Sequence, residues 1–221
     1  ESFAPVEPRD GGWKRLAERI EAGQPARRRL RPAYALAGFA KRDPRSSEAG
    51  IKYFLVGAVS SAIMLYGMSL LYGFARTTDL RAIASHLTSI GDHPTAIAAT
   101  MLVLVGLGFK IALVPFHMWC PDAYEGAPTP ITAFLSVAPK AGGFAALLRV
   151  LLQALPAVPW APVLATLAGL TMTLGNLLAI PQGNIKRMLA YSSIAQAGYI
   201  IIGLTVAQSA SFGVPGVLFY L

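Results

Sequence analysis

Three side chains able to carry a proton stand close together in an otherwise apolar stretch: Lys110, His117 and Lys140. Residues 106 to 140 read GLGFKIALVPFHMWCPDAYEGAPTPITAFLSVAPK. A charge near the centre of a bilayer costs roughly 2.5–3.5 kcal/mol on insertion scales, so such residues line a polar interior or an ion path. Pro115 removes a backbone donor, and the helix holding Lys110 is expected to split around Ala112 to Pro115. A half-helix, PFHMWCPDAY, is expected to follow. Non-helical backbone at membrane depth needs cover from protein or a water cavity, which argues for an interior, buried Lys110. Two lysines in consecutive spans, with a broken helix and a histidine between them, point to a proton or cation path. Lys140 has Pro139 before it, which is expected to loosen the helix there.

The elements that must hold these residues follow from composition. Hydrophobic residues make up 54% of the chain and charged residues 14%, with a mean hydropathy of +0.52. Soluble domains carry about 25% charged residues, so this is a membrane protein. The net charge of +8 suggests nucleic acid until it is mapped: twelve of the 19 Lys and Arg fall in residues 1–52. One tryptophan there gives no aromatic support for nucleic-acid binding, and none is expected. Cys120 is the single cysteine, so the chain can form no internal disulfide and hold no cysteine-ligated iron–sulfur or zinc centre. No Gly-rich dinucleotide motif is present.

Residues 1–31 are charged and interrupted by Pro and Gly, and read as a solvated basic arm or a polybasic segment on anionic headgroups. Residues 32–221 form the membrane domain. Within it PAYALAGFA is too short to span, since a bilayer takes about 20 residues. Spans are expected at 51–73, from Pro94 through Lys110, and at 131–152, 161–180 and 188–206. A sixth begins at Gly213 and stops at Leu221, so the domain is expected to be truncated at both ends. Glu48 and Lys52 are four apart in the favourable order for an ion pair. LRAIASHLTSI is weakly amphipathic and suits the membrane surface, with His86 and His93 exposed. Trp160 suits an interface position. Loop cations at 41–45 and 186–187 fall on the side of PDAYEG, and the positive-inside rule makes that side cytoplasmic.

The stretch 106–140, NIKRMLAYSSIAQAGYIIIGL, and RDPRSSEAGIKYFL with its span together resemble the antiporter-like subunit family of the proton-translocating NADH–quinone oxidoreductase, respiratory complex I, and its subunit N in particular. The resemblance covers about Pro32 to Leu221 and implies an all-α fold of inverted five-helix repeats, each with one broken helix. It implies a proton relay in which Lys110 is the carrier beside the break and Lys140 passes the proton onward. His117 and Lys52 stand at the family's histidine after the break and lysine of the preceding span. The family glutamate that pairs with the broken-helix lysine is here Arg27, and Gln196 stands where many relatives have histidine. That change of character near Pro32 leads us to expect that residues 1–31 arise from a frame change or mis-assembled gene.

The implied activity is translocation by a membrane-arm subunit with no redox centre of its own. NAD, FMN, iron–sulfur clusters and quinone are then the parent complex's cofactors. Its partners are the other membrane-arm subunits and the lipid bilayer, in the bacterial inner membrane. An Mrp-type cation/proton antiporter subunit, or an inactive fragment, is the alternative.

Overall fold

The computed structural model describes residues 37–38, 44–88, 93–207 and 213–221. These lie within one compact unit, Tyr34–Leu221. The basic arm at 1–31, Arg27 and the start of the membrane domain lie outside the described residues.

Among the described residues every regular element is helical. The first, α1 (Pro44–Ala75), is 32 residues long and starts well before the expected span, taking in the Pro44–Ser47 turn. Its large side chains Phe54, Leu55, Val59, Leu65 and Tyr66 are exposed, as a lipid-facing surface requires. Asp79 then caps α2 (Leu80–Leu87), accepting hydrogen bonds from the Arg81 and Ala82 amides at 2.9 Å. Ile83 and Leu87 are buried while Arg81 and His86 are exposed, so α2 is the amphipathic segment expected. The helix α3 (Pro94–Ile111) opens on Pro94, with the His93 imidazole accepting from the Thr95 amide.

The break falls where Pro115 puts it. Ala112 caps α3 in the left-handed conformation, at φ 58° and ψ 42°. Leu113 N–H returns to the Gly108 carbonyl at 2.8 Å, and the Val114 amide donates to Thr171 Oγ1 at 3.1 Å. These bonds satisfy backbone groups that an interrupted helix would otherwise strand. The half-helix α4 (Trp119–Gly126) starts later than expected, because residues 115–118 form turns first.

Next come α5 (Thr129–Arg149) and a π-helical turn (Val150–Ala154). Pro139 lies inside α5, which runs through it as one helix. Contrary to expectation, Trp160 is not at an open interface: it is fully buried, and its indole donates to the Leu155 carbonyl at 3.0 Å. That bond closes the uncharged turn before α6 (Ala161–Ala179). The last two elements are α7 (Ile185–Ala207) and the short α8 (Gly213–Tyr220). Five of these segments are long and apolar enough to cross a membrane.

Packing pairs α1 with α3 and α6 with α7, while α4 touches both α1 and α7. Two glycines permit the close approaches. A Cβ on Gly126 would sit 2.6 Å from the Arg45 carbonyl oxygen, and one on Gly175 would sit 2.8 Å from the Ala195 nitrogen. Real Cβ atoms do not approach backbone so closely, so larger residues would push the helices apart. The single crossing of α1 has a testable consequence. Cysteines introduced at Ser47 and Thr78 should react with an impermeant maleimide from opposite sides, and labelling of both from one side would contradict it.

Candidate functional site

Lys140 lies near the middle of α5 and is only 6% exposed. Its Nζ donates to Ser193 Oγ at 2.7 Å and to the Ser193 carbonyl at 3.0 Å. Ser193 Oγ in turn donates to the Ala190 carbonyl one turn earlier on α7. The ring of Tyr124 lies below the ammonium, 6.0 Å away, in cation–π range. Cys120, one turn before Tyr124 on α4, is fully buried. Three helices therefore build this pocket: α5 supplies the lysine, α7 the acceptors and α4 the lid. A cavity of about 310 Å³ opens beside it, lined in part by Ser136, Phe144, Gln196 and Tyr220. Across it the Tyr220 hydroxyl bonds Gln196 Oε1.

A second polar group sits at the α1 start. Lys52 pairs with Glu48 at 2.6 Å, the i,i+4 pair expected, and also with Asp122 of α4 at 2.8 Å. Arg187 of α7 reaches the other Asp122 oxygen at 2.7 Å and Glu125 at 3.0 Å. Arg45 completes the set at 3.5 Å from Glu125. Three cations and three carboxylates thus surround a cavity of about 370 Å³. Burial pushes the Asp122 carboxyl up, but Lys52 and Arg187 outweigh it and hold it below the usual carboxylate range. A depressed carboxyl contributes stability above its unfolded-state pKa and loses it as pH falls through the folded value. Asp122 is therefore ionised at neutral pH, and its pairs with Lys52 and Arg187 loosen only in acid. Arg45, Arg187 and the PDAYEG segment occupy one end of the bundle, as their loop charges suggested.

Lys110 departs from expectation. It is exposed rather than buried, with its Nζ 5.9 Å from the ring of its neighbour Phe109, and it lines neither cavity. His117 is half-buried in the turn between α3 and α4, and its Nδ1 is enclosed with no hydrogen-bond partner among the described residues.

Of the four expected relay residues, then, the structure gives Lys140 a built pocket, ties Lys52 into the ion cluster, and places Lys110 and His117 on either side of the break. Ser193, Asp122 and Arg187 were missed as site residues. A serine in an apolar span carries no signal of its own. Asp122 and Glu125, three apart on one helix face, could have been found as a pair seeking cations.

Comparison with known proteins agrees with this architecture. Residues 29–221 match the family model described as NADH:quinone oxidoreductase/Mrp antiporter, TM. NADH-quinone oxidoreductase subunit N of Heliobacterium modesticaldum is 52% identical over 190 residues, covering 85% of this chain and 39% of that protein. A chain in respiratory complex I from Thermus thermophilus superposes with a TM-score of 0.71 at 43% identity, over 86% of this chain and 40% of that one. A chain of the Mrp complex from Dietzia sp. gives 0.76 at 27% identity, over 86% and 36%. The chain thus spans about two fifths of the length of the relatives it matches. With a family match over 193 residues that includes the broken helix and both lysines, the chain belongs to the membrane-spanning family of NADH:quinone oxidoreductase and Mrp antiporter subunits.

Proposed function

We propose that this chain is part of a proton-translocating membrane-arm subunit of an NADH–quinone oxidoreductase, resident in a bacterial inner membrane beside the other membrane-arm subunits. Lys140 is the residue on which the reading rests. Its ammonium is buried in an apolar helix and held by neutral acceptors, Ser193 Oγ and the Ser193 carbonyl. Neutral acceptors leave no carboxylate stranded when the proton departs, so Lys140 can load and unload without collapsing its pocket. Lys110 and His117, on either side of the break, deliver the proton, and Lys52 stands at the polar end of the path within the ion cluster.

Redox chemistry belongs to partner subunits in this proposal. An iron–sulfur cluster takes several thiolates, and one cysteine does not fit that need. NAD, FMN, iron–sulfur clusters and quinone are then bound by other chains of the complex.

The Mrp-type antiporter reading has one specific support, the TM-score of 0.76 with the Dietzia complex. Identity weighs the other way, at 27% against 43%. Purification through an affinity tag on the full-length subunit separates the two. Recovery of flavin- and iron–sulfur-containing subunits is the expected result, and recovery of antiporter subunits alone would overturn it.

A further inference from the structure

Asp122 sends its two oxygens to two different helices at short range, as Glu125 does more loosely to Arg45 and Arg187. Oδ2 lies 2.8 Å from Lys52 of α1, and Oδ1 lies 2.7 Å from Arg187 of α7. Arg187 also takes Glu125, one turn further along α4, at 3.0 Å. Its neighbour Lys186 donates to the Ala127 carbonyl at the α4 C-terminus, at 2.9 Å. The start of α7 thus grips the whole polar side of α4.

The same two helices make the Lys140 pocket. Ser193 is six residues beyond Arg187, about 9 Å along α7 at 1.5 Å per residue. Tyr124 and Cys120 bracket Asp122 on α4 and are 2% and 0% exposed. By contrast, α5 meets α7 at few positions, whereas α4 packs on α7 and runs into α5 through residues 127–128. Ion pairs this open to solvent contribute little to global stability. Their geometry, however, fixes one element against another.

We propose that Asp122 and Arg187 are positioning residues for Lys140: their pair locks α4 to α7 and so holds Tyr124 and Ser193 at the ammonium. The inference rests on the proton-translocating reading above. It assigns a task to Asp122 and Arg187, which the relay leaves without one. Neither residue touches the moving proton; each acts through the helix it anchors.

The test uses the whole complex in proteoliposomes, with two readouts. One is protons moved per electron pair. The other is modification of Cys120, followed on its own peptide by mass spectrometry with a membrane-permeant maleimide. Asp122→Asn and Arg187→Gln should lower proton translocation and speed Cys120 modification about tenfold, as the lid opens. Asp122→Glu and Arg187→Lys keep the charges and should restore both readouts. Loss of pumping that the conservative variants fail to restore overturns the positioning role. So does pumping at the parental ratio in Asp122→Asn with Cys120 still unreactive. Should Asp122→Asn not assemble, the same outcomes are read on Arg187→Gln, which leaves Asp122 paired with Lys52. Lys140→Met is run alongside. Parental pumping by Lys140→Met overturns the functional reading itself, whereas loss there with none in Asp122→Asn and Arg187→Gln overturns the positioning role alone.

Discussion

Trp119→Ala is expected to destabilise the subunit by about 3–5 kcal/mol, the usual cost of emptying a buried aromatic site. Trp119 is 2% exposed and packs at the break between α3 and α4. Its ring stacks on Tyr53 of α1 at 4.5 Å and meets Phe109 of α3 at 5.2 Å. The indole N–H donates to the Phe109 carbonyl at 3.0 Å, one of the acceptors freed where α3 ends. One side chain therefore joins three helices and helps to satisfy the break. Trp119→Phe keeps a ring but drops the donor. Because the Ala112 amide still reaches that carbonyl at 3.2 Å, its cost should be only about 0.5–1.5 kcal/mol. Thermal unfolding of the purified full-length subunit in detergent would rank the two, and a Trp119→Ala midpoint equal to the parent would contradict the packing account.

What the sequence made legible, and what it hid, follows from the range of the interactions involved. The break at Ala112–Pro115 could be read because proline acts on its own turn. The Glu48–Lys52 pair could be read because i,i+4 neighbours share a face. Asp122, the second partner of Lys52, is 70 residues away, and no local rule links them. Lys140 stood out as a lysine in an apolar span, but Ser193, its acceptor on a different span, did not. Trp160 was read from its type, as an interface residue, yet its turn folds inward and buries it. Pro115 was taken as the first residue of the half-helix. Instead the chain spends Pro115 to Met118 on turns and opens α4 at Trp119, with Pro121 in its first turn.

The second large effect concerns Lys140 and separates charge from exchange. Lys140→Met removes the titratable group while nearly matching the length of the aliphatic stem, so the apolar part of the pocket stays filled. Ser193 Oγ still has the Ala190 carbonyl to donate to, at 2.9 Å. The variant should therefore assemble. Lys140→Arg keeps a cation in the pocket but holds it permanently, because a guanidinium does not release its proton near neutral pH. Both should lose translocation through this subunit, for opposite reasons. A merely structural lysine predicts a different pattern, with Arg tolerated and Met harmful to assembly.

Proton translocation by the assembled complex in sealed vesicles, driven by NADH and recorded as protons per electron pair, is the most direct test. For Lys140→Met and Lys140→Arg alike, the account predicts a ratio below that of the parent complex, with all subunits present. A parental ratio in either fully assembled variant would remove Lys140 from the proton path.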